Sequence, residues 1–271
     1  MKKLLLMATI ASTVLSAGAE VSSREINDGW RFRQWRSENW YPATVPGTVH
    51  TDLMANEIIE DPFFRLNERS VQWVDKEDWM YETHLIATPE EVAAQNQELV
   101  FNGLDTYATV YLNHERILQA NNMHRTWRVN VKGILKEGDN LLEVLFDSPI
   151  KVDLPKYDQF DYTFNTGPDQ AQNGGLFNKT LSIFARKAGY HYGWDWGPRL
   201  VTSGIWRPIE LQTWSGERIN NVQFIQKDVT AKRANLSTVV EVLADEAAPE
   251  AEITITADGK KVASKTVSLE K

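Results

Sequence analysis

Residues 186–208 read RKAGYHYGWDWGPRLVTSGIWRP, and they carry the most informative pattern in this 271-residue chain. Aromatic residues occupy every second position in the middle of the stretch, which is the period of a β-strand: Tyr190, Tyr192, Trp194 and Trp196. Glycine and proline interrupt the same segment, although strand interiors avoid both. The combination predicts a strand end or a loop that bends sharply.

An acidic residue, Asp195, lies between the two tryptophans of this stretch. A sugar offers C–H faces that pack on aromatic rings and hydroxyls that donate hydrogen bonds to a carboxylate. Trp194, Asp195 and Trp196 are therefore candidate sugar-binding residues. The alternative is a buried aromatic corner, in which Asp195 bonds to backbone amides, to Arg186 or to Arg199.

The composition of the chain limits the classes of partner. A formal net charge of −8 argues against nucleic acid and anionic lipid, because both attract proteins rich in lysine and arginine. The chain has no cysteine, so it can form neither a disulfide framework nor a thiolate metal site. His50 has no second histidine at metal-ligand spacing and is interpreted as structural. We therefore predict no metal and no cofactor.

The first 19 residues have the pattern of a secretory signal peptide. Lys2 and Lys3 precede an apolar run over residues 4–15, and Ala17-Gly18-Ala19 supplies a small-residue cleavage site. The run is too short to span a bilayer, and no cysteine follows it that could carry a lipid. We expect cleavage near Ala19 and a periplasmic or secreted bacterial protein with no membrane partner.

Residues 20–215 have the features of an all-β domain, a jelly-roll sandwich of about eight to ten strands. Short segments of alternating polar and apolar residues are separated by turn residues. The predicted strands include residues 30–35, 79–86, 99–101, 106–112, 116–118, 126–131, 141–146 and 209–214.

Two short helices and several acidic turns are predicted between these strands. Thr48 is placed to cap the first helix, and Thr88-Pro89-Glu90-Glu91 is a capping box for the second. The acidic residues at 60–61, 75–78 and 90–91 are interpreted as solvated turns. Residues 148–180 have little periodicity but many aromatic residues, so we expect a functional irregular segment there.

Residues 216–271 differ from the preceding domain, because aromatic residues nearly vanish. Alternating segments predict strands at 221–224, 237–243, 252–256 and 261–267, with Asp258-Gly259 as a hairpin turn. Their spacing suggests an immunoglobulin-like sandwich, which uses about seven strands. Four strands make an incomplete one, so we expect the chain to be the front part of a longer protein.

Four segments together resemble the amino-terminal region of β-mannosidases in glycoside hydrolase family 2. They are VPGTVHTDL (45–53), DWMYETHL (78–85), FNGLDTYATVYLN (101–113) and ARKAGYHYGWDWGPRLVTSGIWRPIEL (185–211). FNGLDTYATVYLN is shared by the wider family, whereas YGWDWGPR is more specific to the mannosidase branch. The resemblance extends from about Trp30 to Trp214.

This resemblance implies a galactose-binding-like jelly roll, an immunoglobulin-like domain and a catalytic (β/α)₈ barrel. Members hydrolyse β-mannosides with retention, using two glutamates on the barrel whose carboxyl groups lie about 5–5.5 Å apart. A barrel needs about 250 residues, so we expect neither catalytic glutamate in this chain. The barrel domain and a β-mannoside or manno-oligosaccharide are the implied partners.

The resemblance also implies roles for the residues of the aromatic stretch. The residue matching Asp195 accepts hydrogen bonds from the hydroxyls of the terminal sugar, and the indole matching Trp194 lines the pocket. Closure of the pocket at the end of a glycan makes such an enzyme exo-acting. Arg186 is also assigned to the substrate-binding residues, where it orients Asp195; the alternative is a structural surface pair of little energy.

Two other functions are compatible with the sequence. One is a stand-alone secreted carbohydrate-binding module, which the aromatic residues between 148 and 206 favour. The other is the front of a family 2 exo-glycosidase that acts on glucosamine or another sugar, because some contacts that discriminate between sugars would lie on the barrel.

Overall fold

The structure is a computed structural model that describes residues 21–167, 169–230, 233–244, 250–257 and 259–268. Its contacts divide the chain into two units, one of residues Ser23–Thr213 and the other containing Trp214–Lys271. The predicted signal peptide and Asp258 of the predicted hairpin turn lie outside the described residues.

The first unit is built from short strands, as the alternating segments predict. In chain order they are β1 (Ser22–Glu25), β2 (Arg31–Gln34), β3 (Tyr41–Pro42), β4 (Trp79–Ala87), β5 (Asn96–Phe101), β6 (Leu104–Asp105), β7 (Tyr107–Leu112), β8 (Glu115–Asn121), β9 (Trp127–Asn130), β10 (Gly138–Asp147), β11 (Gly204–Ile205) and β12 (Ile209–Trp214).

These strands form two main sheets, a six-stranded sheet in the order β3-β2-β4-β10-β7-β8 and a four-stranded sheet in the order β1-β12-β5-β9. β6 and β11 form a separate antiparallel pair. Every second side chain of a strand points to the same face of its sheet. In β10 the side chains of Leu142, Val144 and Phe146 share one face, and all three are buried. They share one hydrophobic core with Leu99 and Leu211 of the other sheet. The all-β sandwich prediction is confirmed.

Three α-helices lie between the strands: α1 (Val49–Ala55), α2 (Pro89–Ala93) and α3 (Pro149–Tyr157). Thr48 caps α1 and Thr88 caps α2, each by accepting a hydrogen bond from the N–H three residues later, so both predicted caps are confirmed. No helix was expected at α3, which begins the segment predicted to be irregular. The remainder of that segment contains no helix or strand among its described residues.

The acidic run at residues 75–78 is not a solvated turn, and that prediction was wrong. Asp75 is 4% exposed and pairs with Arg199. Asp78 accepts hydrogen bonds from the Ser148 N–H and from Lys151 Nζ. Asp75 therefore connects this acidic run to the aromatic stretch, and Asp78 connects it to the start of α3.

The acidic pair at residues 90–91 was also predicted to be solvated, and this is wrong for one of its members. Glu90 is exposed. Glu91 accepts a hydrogen bond from Arg24 Nε at 2.6 Å, with only 11% of its side chain exposed. The carboxylate therefore fixes β1 against α2.

The second unit contains four strands at the predicted places. β13 (Arg218–Val229) pairs antiparallel with β14 (Ala234–Leu243), and β15 (Glu250–Ala257) pairs antiparallel with β16 (Lys260–Ser268). The immunoglobulin-like assignment stays a prediction. Among the helices in the described ranges, none has the length and hydropathy to cross a bilayer.

Candidate functional site

The middle of the aromatic stretch forms a tight turn, which we call the tryptophan turn (residues 194–197). The Trp194 N–H donates to the Gly197 carbonyl at 3.1 Å, and the Gly197 N–H donates back to the Trp194 carbonyl at 3.3 Å. A short 3₁₀ helix, Gly189–Tyr192, precedes it. The stretch is therefore a sharply bent loop, one of the two predicted alternatives, and not a strand end.

The tryptophan turn presents its side chains to solvent. Trp194 is 37% exposed and Trp196 is 74% exposed, with their ring centroids 6.2 Å apart. Asp195 is exposed at the tip of the turn. No hydrogen bond or ion pair joins its carboxylate to another of the described residues, so the buried-corner alternative is wrong. The carboxylate and an indole face are both accessible to a ligand.

Arg186 does not contact Asp195 within the part of the chain that the structure describes. Its side chain is exposed, and its backbone carbonyl accepts a hydrogen bond from the Met123 N–H at 3.0 Å. The proposed orienting contact is therefore absent from this structure. The assignment of Arg186 to the substrate-binding residues stays a prediction.

Gln170 fixes the amino-terminal side of the tryptophan turn. Its backbone N–H donates to the Tyr192 carbonyl at 2.8 Å, and its side-chain Nε2 donates to the Trp194 carbonyl at 2.5 Å. Between these two carbonyls lies Gly193 with φ +95°, where a Cβ would meet the Gln170 side chain at 2.7 Å. Only glycine fits both the backbone conformation and the space.

Arg199 fixes the carboxyl-terminal side of the turn. Its guanidinium is buried, and Nη1 donates to Asp75 Oδ2 at 2.6 Å and to Gln72 Oε1 at 2.7 Å. Its backbone N–H donates to Glu68 Oε1 at 2.9 Å, and its carbonyl accepts from Gln72 Nε2 at 2.7 Å. The partners lie in or beside two 3₁₀ helices, Asn67–Val71 and Val74–Lys76. Both the side chain and the backbone of Arg199 are therefore held by one neighbouring segment.

A buried ion pair between Lys187 and Asp105 joins the aromatic stretch to β6. Lys187 Nζ lies 2.5 and 2.6 Å from the two Asp105 carboxylate oxygens and donates to the Thr202 carbonyl at 2.8 Å. Thr202 Oγ1 donates to Asp105 Oδ2 at 2.6 Å. Burial, the largest single influence, raises the pKa of Asp105, but the positive charge of Lys187 together with the hydrogen bonds to the carboxylate holds that pKa below its usual value. Burial lowers the pKa of Lys187, but the contact of its Nζ with both carboxylate oxygens is the geometry of an ion pair. Through Lys187 and Thr202 the pair joins β6 to the aromatic stretch on both sides of the tryptophan turn.

Two histidines lie close to this ion pair. His191 Nδ1 lies 3.2 Å from Thr202 Oγ1 and 4.0 Å from Asp105 Oδ2. His50, in α1, is 5% exposed, and its Nδ1 has no hydrogen-bond partner. Burial, followed by the charge of Lys187, lowers the pKa of each histidine to about 4. Both imidazoles are therefore neutral near pH 7.

The buried histidines predict a loss of stability in mild acid. An unfolded histidine binds a proton near pH 6.5, whereas folded His50 binds one only near pH 4. The unfolded state therefore gains protons first, and the free energy of unfolding falls as the pH drops from about 6.5 to about 4. We expect His50→Gln to show a smaller fall over this window than the wild type.

Urea titrations at several pH values, followed by tryptophan fluorescence, measure this effect. The control is Leu53→Ala, which removes a buried side chain of the same helix but no titrating group, and it should retain the wild-type pH dependence. Equal pH dependence in His50→Gln and the wild type would contradict the prediction.

No metal site is evident in the described ranges, where no three histidine, aspartate or glutamate side chains are grouped so as to hold an ion. The candidate site is therefore the tryptophan turn together with the buried polar residues that fix it. The sequence pattern identified the turn itself. It missed Gln170, Gln72, Asp75 and the Lys187–Asp105 pair, although a lysine and an aspartate inside largely apolar or aromatic segments were a usable signal.

The glycosyl hydrolase 2 galactose-binding domain-like family matches residues 30–207, which is most of the chain. This chain belongs to that family. The match contains every residue of the tryptophan turn and every side chain that fixes it. The galactose-binding-like domain of glycosyl hydrolase 2 is thus the domain that presents the candidate site.

Relatives of known name agree with the resemblance to family 2 β-mannosidases. β-Mannosidase B of Aspergillus niger is 35% identical over 248 residues, covering 88% of this chain and 28% of the relative. The crystal structure of β-D-mannosidase from Dictyoglomus thermophilum superposes with a TM-score of 0.74 at 32% identity, covering 92% of this chain and 29% of that protein. This chain thus spans just over a quarter of the length of the proteins it matches.

A more distant likeness concerns the fold alone. The exo-chitosanase of Amycolatopsis orientalis superposes with a TM-score of 0.61 at 19% identity, covering 92% of this chain and 27% of that protein. The fold of this chain is therefore also found in a protein with a name other than β-mannosidase.

Proposed function

We propose that this chain is the amino-terminal part of an exo-acting, retaining β-mannosidase that hydrolyses terminal non-reducing β-D-mannose residues. The proposal depends on one observation, the exposed Trp194-Asp195-Trp196 tip on a turn fixed at both ends. An exposed carboxylate beside indole faces suits the hydroxyls and C–H faces of a sugar. The family match and the β-mannosidase relatives support the choice of substrate.

In this proposal the chain supplies one wall of the substrate pocket and no catalytic group. Asp195 accepts hydrogen bonds from the hydroxyls of the terminal mannose, and Trp194 and Trp196 pack on its faces. The two catalytic glutamates belong to the barrel domain of the longer protein. Retention would require their carboxyl groups to lie about 5–5.5 Å apart.

Trp196→Ala tests the role of the tryptophan turn in the protein expressed from the complete reading frame. Loss of an indole face that covers the sugar should raise KM for p-nitrophenyl β-mannoside about 5- to 30-fold, equivalent to about 1–2 kcal/mol. The free energy of unfolding should not fall, because the ring is 74% exposed. Ile86→Ala is the control, since Ile86 is also a large exposed apolar residue but lies on β4, and it should retain wild-type KM.

The substrate panel for this experiment includes p-nitrophenyl β-glucosaminide and β-glucoside. Turnover of β-mannoside above the others supports the proposal, and preference for another sugar would replace the substrate while keeping the site. If calorimetry showed that the 271-residue chain binds mannobiose while the longer protein hydrolyses no β-glycoside, a carbohydrate-binding module would be the better description.

We also propose that the protein is exported to the periplasm or the medium. The support is the sequence of residues 2–19, with two lysines, an apolar run and a small-residue cleavage site. Amino-terminal sequencing of the protein from its native host should begin near Glu20. Recovery of an intact Met1 in the mature protein would refute export by cleavage.

A further inference from the structure

The tryptophan turn is held on its carboxyl-terminal side by a residue distant in sequence, Gln72. We propose that Gln72 is a positioning residue of the sugar site, which acts through Arg199 to hold Asp195 and Trp196 where they meet the sugar. The inference rests on the proposed function, because it assigns Gln72 a role in that same site.

First, both ends of the Gln72 amide are used to hold Arg199. Nε2 donates to the Arg199 carbonyl at 2.7 Å and to the Glu68 carbonyl at 2.9 Å, and Oε1 accepts from Arg199 Nη1 at 2.7 Å. The side chain is 8% exposed. It therefore cannot itself reach a ligand in solvent, and any effect on the site must pass through Arg199.

Second, the Arg199 guanidinium has few other partners. Its Nε and Nη2 are buried without a hydrogen-bond partner, so Nη1 makes the side-chain hydrogen bonds, to Gln72 and Asp75. Gly174 packs against the group so closely that a Cβ there would lie 2.5 Å from the guanidinium carbon. Loss of Gln72 would leave Asp75 as the remaining side-chain partner of Arg199. The guanidinium has no space to move toward Gly174.

Third, a displacement of Arg199 reaches the site directly. Only Gly197 and Pro198 separate Arg199 from Trp196. The two hydrogen bonds that close the turn make residues 194–197 move together. If the turn spends only a tenth of its time in the binding geometry, apparent affinity for the sugar falls tenfold.

Gln72→Met tests the inference in the protein from the complete reading frame, because methionine keeps the length of the side chain and removes its hydrogen bonds. We expect KM for p-nitrophenyl β-mannoside to rise about tenfold while kcat stays within about threefold. This split follows because the turn, once in place, binds the ground state and the transition state alike.

The matched control is Gln97→Met. Gln97 is 1% exposed and, like Gln72, donates two hydrogen bonds from Nε2 to backbone carbonyls, those of Val92 and Ala94. It lies on β5 and has no bond to Arg199. Gln97→Met should lower stability to a similar degree and retain wild-type KM.

A second readout does not depend on sugar binding. In protein labelled with 5-fluorotryptophan, the ¹⁹F resonance of Trp196 is assigned by its loss in Trp196→Phe. It should broaden or shift in Gln72→Met and stay unchanged in Gln97→Met. If Gln72→Met does not fold, Glu68→Ala replaces it, since Glu68 is half-buried and accepts the Arg199 N–H.

The outcomes separate the inference from the proposed function. Wild-type kinetics in Trp196→Ala would refute the role of the turn in substrate binding, and with it the assignment of Gln72. Altered kinetics in Trp196→Ala, combined with wild-type KM and an unchanged Trp196 resonance in Gln72→Met, would overturn the inference alone. A tenfold rise in KM with a perturbed resonance, neither of them seen in Gln97→Met, supports it.

Discussion

Replacing Asp195 by alanine is expected to lower kcat/KM for a β-mannoside about 100-fold or more in the protein from the complete reading frame. Each hydrogen bond to a charged group contributes about 1.5–3 kcal/mol. In the variant, two sugar hydroxyls would each lose the carboxylate oxygen that accepts their hydrogen bond. A site built to pair with hydroxyls loses much when the pairing is removed. A 100-fold loss corresponds to about 2.7 kcal/mol.

Asp195→Ala should leave the free energy of unfolding unchanged, because the carboxylate is exposed and unpaired among the described residues. Steady-state kinetics and urea unfolding measure the two effects on the same preparations. Asp228→Ala is the control, since it removes an exposed carboxylate from β13. Wild-type turnover in Asp195→Ala would end the proposal that this turn contacts the substrate.

Replacing Asp105 by asparagine should produce the opposite pattern, a large loss of stability. The substitution leaves the Lys187 ammonium buried without its counter-charge, and such changes cost about 3–5 kcal/mol. Neither side chain of the pair is exposed by more than 1%. Urea unfolding followed by tryptophan fluorescence should show the loss.

Two further variants identify the cause of that loss. The double variant Asp105→Asn with Lys187→Met removes the unpaired charge and should recover most of the stability. Lys179→Met breaks an exposed pair with Asp158, whose side chains are 39% and 48% exposed, and should change stability by less than about 1 kcal/mol. A small effect of Asp105→Asn alone, or no recovery in the double variant, would contradict a charged buried pair.

The strands and the tryptophan turn could be predicted from sequence because their signals are local. The apolar residues of β10 alternate with polar or less buried ones, and the burial follows this alternation. Glycine and proline interrupt the aromatic alternation, and this interruption predicts the sharp bend. The sequence analysis did not predict α3, because the segment contains two prolines and lacks the apolar periodicity that is typical of a helix. Its local signal was Ser148 followed by Pro149, a capping residue and a favoured first helical residue.

The residues that fix the site could not be predicted, because their partners are far apart in sequence. Asp75 looks like part of a solvated acidic run until Arg199, 124 positions later, lies beside it. Asp105 and Lys187 are 82 positions apart. The local sequence shows that Asp105 and Lys187 lie in apolar or aromatic segments, but it does not show which opposite charge the fold brings to each of them.

Exposure at the tip of the tryptophan turn separates recognition from folding. Asp195 and Trp196 are exposed to solvent, while the hydrogen bonds of Gln170 and Arg199 hold the backbone of the loop in place. Randomised libraries at positions 195 and 196 should therefore yield mostly folded proteins. Under the proposed function, substitutions at these two positions should change the sugar preference without loss of the fold.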